Sequence, residues 1–143
     1  MKQYDAIIIG FGKAGKTLAA ELSNRGWQVA VSGRDEAKGE AALQQLGPEK
    51  AVCYIKGDVS RDEDCRKMVI ETVRRFGGLD GLVTSAGIYE QGLLENVTPD
   101  DVQQLFAVNV YGTISLCKYA LPHLRRRPGS IVTVSSDAGL QGN

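Results

Sequence analysis

The stretch DAIIIGFGKAG, Asp5–Gly15, decides the fold. Its apolar residues, Ala6–Ile9, form a continuous run that is typical of a strand buried on both faces of a parallel sheet. Three glycines follow with the spacing Gly10-x-Gly12-x-x-Gly15, and a helical pattern begins after them. A glycine turn that joins the first strand of a βαβ unit to its helix is typical of dinucleotide-binding proteins. The stretch therefore predicts a ligand site as well as a fold.

Strand and helix patterns alternate along the rest of the chain. Five strands separated by helical segments predict a Rossmann-like, doubly wound, five-stranded parallel sheet of order 3-2-1-4-5, in three α/β/α layers. The ligand crevice is expected at the carboxyl ends of strands 1 and 4, and residues 1–143 are expected to form a single domain. The later strands are predicted at Gln28–Val31, Ala51–Ile55, Leu79–Thr84 and Ser130–Val134, with helical patterns at Lys16–Arg25, Asp35–Leu46, Ser60–Phe76 and Thr98–Leu121.

Particular residues indicate where two of the helices begin and where one ends. Ser60 and Glu63 have the spacing of a capping box, with Ser60 at the N-cap of the third helix. Thr98, followed by a proline and two acidic residues, is expected to cap the fourth helix. Pro122 has no backbone N–H, so it should bend or end that helix near Leu121.

The composition argues against several classes of function. Seventeen basic and seventeen acidic residues cancel, so the charge balance does not favour nucleic acid or an anionic membrane as a partner. The cluster Arg125–Arg127 is interpreted as solvated cations at a helix end. Three scattered cysteines and a single histidine predict reduced thiols and no metal site. With no signal-peptide pattern and no membrane-length apolar run, a cytoplasmic location is expected.

The glycine turn has the chemistry to hold a diphosphate. Gly10 should make the tight turn, Gly12 should let the phosphates approach the backbone, and Gly15 should let the helix pack close to the sheet. Backbone N–H groups and the helix dipole would then bind the phosphates. The predicted contacts are Gly10, Phe11, Gly12, Lys13, Ala14 and Gly15.

The end of the second strand is expected to distinguish between cofactors. An acidic residue there would bind both ribose hydroxyls of NAD or FAD, but the chain has Ser32, Gly33 and Arg34. An arginine in place of the acid favours a 2′-phosphate, to which Lys13 could add a second positive charge. NADP is therefore preferred to NAD, with Ser32 and Arg34 as the predicted contacts. The alternative is that Arg34 is a solvated residue at the start of a helix.

From about Val31 onward, the chain resembles a short-chain dehydrogenase/reductase. GDVS resembles the pair that contacts adenine in that family, which implies Asp58 and Val59 as contacts. TSAGIYE resembles the Asn-Asn-Ala-Gly motif with both asparagines replaced, and VNVYG and IVTVSSDAGLQG resemble the segments that carry the helix asparagine and the catalytic serine. The resemblance implies Ser85, Ala86 and Gly87 beside the cofactor, and Asn109 and Ser136 in catalysis.

The resemblance also implies a reaction, the reduction of a carbonyl by a nicotinamide hydride. In the family, a tyrosine and a lysine in a Tyr-x-x-x-Lys motif supply the proton. The 143 residues do not contain that motif. Ser136 and Asn109 are therefore interpreted as vestigial, and the chain as truncated, able to bind a dinucleotide but without robust catalysis.

The first thirty residues resemble a different family. The segment YDAIIIGFGKAGKTLAAELSNRGWQVAV is similar to the amino end of a flavoprotein disulfide reductase, which binds FAD. We expect from this a chimera, natural or engineered, with a junction near residue 31. The alternatives left open are an NADP-dependent carbonyl reductase, an FAD-binding module, a pure interaction module, or a scaffold that binds no cofactor.

Two surfaces, the edge of strand 5 or the fourth helix, are expected to cause homodimerisation or a tendency to aggregate. Ser130–Val134 should form an apolar sheet edge, which favours pairing with another chain. The fourth helix should leave Val108, Leu116 and Ala120 less covered than the rest of the core.

Overall fold

A computed structural model describes residues 4–10, 12–46 and 52–141. Its five strands form one parallel sheet in the order β3-β2-β1-β4-β5, which confirms the predicted Rossmann-like topology. In these ranges, no helix combines the length and apolar character needed to cross a lipid bilayer. The elements are β1 Asp5–Ile9, α1 Lys13–Asn24, β2 Gln28–Gly33, α2 Glu36–Leu46, β3 Val52–Lys56, α3 Asp62–Phe76, β4 Gly81–Thr84, a 3₁₀ turn Leu94–Asn96, α4 Pro99–Phe106, a π-helical segment Ala107–Tyr111, α5 Gly112–Leu124, β5 Ser130–Thr133 and α6 Ala138–Gln141.

The core lies on both faces of the sheet, because successive strand residues point to opposite sides. Beneath α1 and α2, the buried cluster consists of Ala19, Val29, Val31, Val52 and Val83. The larger cluster beneath α3 and α5 includes Ile7, Ile9, Ile55, Met68, Leu82 and Leu116. Helices on both faces cover β1, β2 and β3, and the described ends of these strands are where polar groups can meet a ligand.

The two predicted helix starts have different outcomes. Thr98 caps α4 in a capping box, because its hydroxyl accepts a hydrogen bond from the Asp101 N–H and Asp101 binds back to the Thr98 backbone. The capping box predicted at Ser60 is wrong. α3 begins at Asp62, and Arg61 at its N-cap makes no side-chain cap hydrogen bond. The Ser60 hydroxyl bonds the Asp58 side chain instead.

The predicted fourth helix contains a π-helical insertion and extends beyond its expected end. α4, the π-helical segment and α5 follow one another without a break, and Pro122 lies within α5, which ends at Leu124. The prediction that Val108, Leu116 and Ala120 are less covered is wrong, because each is at most 5% exposed against α3 and the sheet. The opposite face of the helix carries the exposed apolar side chains.

The interpretation of the arginine cluster as solvated cations is wrong for Arg127. Its Nη1 atom lies 3.0 Å from Asp5 Oδ2 and 3.2 Å from Asp80 Oδ2, and Nη2 donates to the Gly77 carbonyl at 3.1 Å. The Asp5 side chain is only 4% exposed. Arg127 therefore joins the starts of β1 and β4 at the amino edge of the sheet.

Candidate functional site

A cleft of about 290 Å³ opens at the carboxyl edge of the sheet. It lies at the ends of β1, β2 and β3 and beside the loop that follows β4. This is the topological switch point of the strand order 3-2-1-4-5, where doubly wound sheets bind their ligands. The lining residues are Ile9, Gly10, Gly12, Ser32, Gly33, Arg34, Asp35, Lys38, Tyr54, Gly57, Asp58, Val59, Ser85, Ala86, Gly87, Ile88 and Val108.

The glycine turn after β1 lies between the end of β2 and the loop that follows β4. The Gly10 N–H donates to the Ser32 carbonyl at 3.1 Å, and Gly10 has a φ of +100°, which L side chains rarely adopt. A Cβ atom at Gly10 would lie 2.3 Å from the Ala86 nitrogen. A Cβ at Gly12 would have nothing within 4 Å. The first glycine is therefore required by the packing of the protein, whereas the second leaves open space.

Nine of the thirteen residues predicted to contact the cofactor line this cleft. They are Gly10, Gly12, Ser32, Arg34, Asp58, Val59, Ser85, Ala86 and Gly87. Lys13 and Ala14, which are exposed in the first turn of α1, and the buried Gly15 do not line it. Phe11 lies outside the described residues.

Ser32 lines the cleft mainly through its backbone. Its side chain is fully buried, and its hydroxyl donates to the sulfur of Met68. Its carbonyl accepts the hydrogen bond from Gly10. Ser32 thus holds the glycine turn against β2, a role that the prediction of Ser32 as a cofactor contact did not include.

Opposite charges meet at the end of β2. Asp35 Oδ1 accepts from the Lys38 N–H at 3.0 Å, and Asp35 Oδ2 lies 3.6 Å from Lys38 Nζ. The backbone hydrogen bond from Lys38 holds the pKa of Asp35 below its usual value. The Tyr54 hydroxyl donates to the Asp35 carbonyl at 2.9 Å, and burial raises the pKa of this tyrosine. Within the described residues, Arg34 has no ion-pair partner, so it is a cation available to a ligand.

The loop after β3 holds a carboxylate in a defined position. Ser60 donates to Asp58 Oδ1 through its hydroxyl at 2.7 Å and its backbone N–H at 2.9 Å. The Asp58 N–H donates to Asp64 Oδ2 at 2.9 Å. Both the backbone and the side chain of Asp58 are therefore fixed at the rim of the cleft.

The loop after β4 is held by Asn109 from the π-helical segment. Asn109 Oδ1 accepts from the Ile88 N–H, and Asn109 Nδ2 donates to the Ile88 carbonyl, both at 2.9 Å. A Cβ at Gly112 would lie 2.9 Å from the Val59 carbonyl oxygen, so this glycine lets the helix approach the loop after β3. Asn109 itself does not line the cleft, but it fixes Ile88, which does.

Ser136 lies on the loop after β5 and is exposed. Its hydroxyl oxygen accepts a hydrogen bond from the Ala138 N–H at 3.2 Å. Among the described residues, it is not part of the cleft lining. Because the oxygen accepts in this contact, the hydroxyl proton stays available for donation.

Several lining residues were not predicted from the sequence. Lys38 lies in the first turn of α2, and Tyr54 lies in β3, where it pairs with Val31 of β2. Ile88 follows the Ala-Gly pair directly. Val108, Gly57 and Ile9 carry no chemical signal of their own, since they supply only apolar or backbone surface.

A family model described as short chain dehydrogenase matches residues 5–143. The chain belongs to the short-chain dehydrogenase family. An L-fucose dehydrogenase of Oryctolagus cuniculus is 38% identical over 129 residues, which are 90% of this chain and 44% of that protein. A solved short-chain dehydrogenase/reductase from Brucella melitensis, described as a glucose/ribitol dehydrogenase, is 30% identical with a TM-score of 0.91, covering 99% of this chain and 62% of that chain.

A further solved structure, described as ElxO with NADP bound, is 30% identical with a TM-score of 0.86, and the match covers 98% of this chain and 58% of that chain. The chain spans about half the length of the curated relatives that it matches. The short-chain dehydrogenase model runs through the expected junction near residue 31, so one family accounts for both sides of it. The comparisons therefore give no support to a flavoprotein segment, a chimera or an engineered origin.

Proposed function

We propose that these 143 residues bind NADP(H) in the cleft, as the nucleotide-binding part of an oxidoreductase. The observation that carries the proposal is the turn at Gly10 and Gly12. A side chain at Gly10 would collide with Ala86, whereas the space at Gly12 is open above the start of α1. Backbone N–H groups at the start of a helix bind phosphate well, so the residues present fit a dinucleotide diphosphate.

The end of β2 supports a 2′-phosphate on the adenosine ribose. Arg34 lines the cleft there, and Gly33 stands where NAD-binding proteins have an acid. Lys38, not Lys13, is the second cation in the cleft. Its ion pair with Asp35 is largely exposed and contributes little stability, so a phosphate would compete for it successfully.

The base would lie against Val59, with its amino group toward Asp58. Two carboxylates line this end of the cleft, and both oxygens of Asp35 already face Lys38. Asp58 Oδ1 is engaged by Ser60, but its second oxygen has no partner within the described residues. A free carboxylate oxygen is a suitable acceptor for the amino group of adenine.

Calorimetric titration of the 143-residue chain with NADPH, NADH and FAD tests this proposal. NADPH should bind more tightly than NADH, because only NADPH offers a phosphate to Arg34 and Lys38. Binding of FAD in preference to both would favour the flavin-binding alternative. An absence of binding heat, together with unchanged thermal unfolding in the presence of NADPH, would contradict the proposal.

A second candidate function is carbonyl reduction, favoured by the position of Ser136. Its hydroxyl proton is available to a substrate oxygen, and the loop after β4 is fixed by Asn109. NADPH would supply the hydride when bound. Because the sequence has no Tyr-x-x-x-Lys pair to supply the proton, we propose that these 143 residues alone turn over at best slowly. Loss of a general acid alone costs about 10²- to 10⁴-fold.

Steady oxidation of NADPH with a panel of ketones tests that second function. The rate should be close to the background, and Ser136→Ala should not change it. A robust rate that is lost in Ser136→Ala would show that the 143 residues are themselves a carbonyl reductase.

We also propose a homodimer formed through β5 and the exposed helix face. β5 is an edge strand of the described sheet, and its residue Val132 is 53% exposed. The free backbone N–H and C=O groups at the outer side of β5 can form hydrogen bonds with a strand of another molecule. A second copy of this chain would supply such a strand. The exposed apolar helix residues are Val102, Phe106, Val110, Ile114 and Leu121. Light scattering should give a dimer mass at high concentration, and a monomer mass would contradict this.

A further inference from the structure

The two oxygens of Asp58 are not equivalent. Both Ser60 donors, the hydroxyl at 2.7 Å and the backbone N–H at 2.9 Å, bond the same oxygen, Oδ1. Rotation of the carboxylate would break both hydrogen bonds, so its orientation is fixed. Oδ2 is left as the acceptor that has no partner among the described residues.

The backbone beneath this carboxylate is held separately. The Asp58 N–H donates to Asp64 Oδ2 at 2.9 Å, from the first turn of α3. Ser60 therefore acts on the side chain of Asp58, whereas Asp64 acts on its main chain. A change at Ser60 can alter the direction of the carboxylate without releasing the loop.

We propose that Ser60 is a positioning residue that makes the cleft select an amino-substituted purine. By occupying Oδ1, Ser60 directs the unpartnered Oδ2 of Asp58 to the 6-position of the base. An acceptor there favours adenine, which has an N–H₂ donor, over hypoxanthine, which has a carbonyl oxygen at that position. This inference rests on the proposed binding of NADP(H).

The test compares the dissociation constants of NADPH and its hypoxanthine analogue. In Ser60→Ala, the preference for NADPH should fall about threefold to tenfold, because one of two hydrogen bonds that orient the carboxylate is lost. Ser60→Thr keeps the hydroxyl and should restore the preference. If the role of Ser60 were purely structural, Ser60→Ala would weaken the binding of both nucleotides equally, and the ratio of their dissociation constants would stay unchanged.

Ser115 offers a matched control. Its hydroxyl donates to Asp62 Oδ1 at 2.8 Å, a serine–aspartate hydrogen bond of similar length outside the cleft. Ser115→Ala should leave the ratio of the two dissociation constants unchanged.

Asp58→Asn tests the orientation itself. The two Ser60 donors require an oxygen at the Oδ1 position, so the amide nitrogen should occupy the position of Oδ2. It would then donate to the carbonyl of hypoxanthine, and the preference should reverse in favour of the analogue. The reversal should be weaker when Ser60→Ala is added.

The outcomes separate the two proposals. If the unaltered protein binds neither nucleotide, the proposed function itself is wrong. If it prefers NADPH but Ser60→Ala keeps the same ratio, the proposed function stands and the role of Ser60 is wrong. The role of Ser60 would also be contradicted if Ser115→Ala lowered the ratio equally.

Discussion

The charged side chains at the two edges of the sheet differ in how fully they are paired. At the amino edge, Arg127 forms ion pairs with Asp5 and Asp80. At the carboxyl edge, Arg34 has no ion-pair partner within the described residues, and Asp58 keeps one oxygen unpartnered. The amino edge therefore stabilises the fold, and the carboxyl edge leaves Arg34 and one oxygen of Asp58 available for a ligand.

The same contrast applies to glycine. Gly10 at the carboxyl edge and Gly26 at the amino edge both have positive φ, +100° and +84°. A Cβ at Gly10 would collide with Ala86, whereas a Cβ at Gly26 would meet nothing within 4 Å. One glycine is required by its neighbours and the other only by its own backbone conformation.

The largest expected effect separates these two glycines. Gly10→Ala should weaken NADPH binding by about a hundredfold or more, because backbone strain and the collision with Ala86 push the turn away from the cleft. Gly26→Ala should lower the free energy of unfolding by about 1 kcal/mol and leave the affinity unchanged. Calorimetry and chemical denaturation measure the two quantities. Equal losses of affinity in both variants would break the comparison.

At the amino edge, Arg127→Met should lower the free energy of unfolding by about 2 kcal/mol, because two largely buried carboxylates lose their partner. The arginine side chain is 39% exposed, which keeps the loss below that of a fully buried pair. The affinity for NADPH should not change. Arg126→Met, at the exposed neighbour, serves as the control and should alter stability by less than about 0.5 kcal/mol. Equal destabilisation in both would disprove the proposed role of Arg127.

A smaller effect is expected at the carboxyl edge. Arg34→Met should reduce the preference for NADPH over NADH about tenfold, because a charge-assisted contact to the 2′-phosphate is lost. Lys13→Met should leave that preference unchanged, since Lys13 lies outside the cleft. Titration of each variant with both nucleotides gives the ratio. If the preference for NADPH over NADH fell in Lys13→Met and not in Arg34→Met, Lys13 and not Arg34 would be the contact to the 2′-phosphate.

The smallest effect concerns pH. Burial raises the pKa of Asp5, helped by the charge of Asp80 and opposed by Arg127. The stability that this shift contributes is present below the ordinary value of 3.8 and is lost as the pH rises through the raised value. Hydrogen bonds from Thr98 lower the pKa of Asp101, so its contribution is present above 3.8 and is lost as the pH falls through the lowered value.

Chemical denaturation from about pH 3 to about pH 6 measures the free energy of unfolding and distinguishes these two opposite pH dependences. As the pH rises, the stability of the unaltered chain should fall relative to Asp5→Asn and rise relative to Asp101→Asn. The same sign at both positions would show that one of the two environments has been assigned wrongly.

The fold could be predicted because its strands and helix starts depend on residues that are close in sequence. The contacts that were not predicted join residues for which no such local pattern exists. The apolar strand runs and the Thr98 cap depend on residues close in sequence, so their pattern is visible without a structure. Arg127 meets Asp5 across 122 positions of the chain, which no local pattern indicates. Ser60 was assigned to a helix cap because the sequence does not show that Asp58 would compete for its hydroxyl.

The residues that line the candidate site were predicted only in part. Glycine spacing and the end of the second strand identified four lining positions, and the resemblance to short-chain dehydrogenases implied the other five. Lys38 and Tyr54 were missed because one lies in the first turn of α2 and the other in the middle of β3, and neither position carries a ligand-binding pattern. The π-helical segment that presents Asn109 to Ile88 depends on packing between distant elements, and its sequence is that of an ordinary helix.

Amide chemical shifts of the ¹⁵N-labelled chain during titration with NADPH test the difference between the two edges most directly. The account predicts the largest changes at Gly10 and Gly12 and in the loop at Asp58, with Asp80 and Arg127 unchanged. Changes centred on Asp80 and Arg127, or no changes along the glycine turn at saturating NADPH, would contradict it.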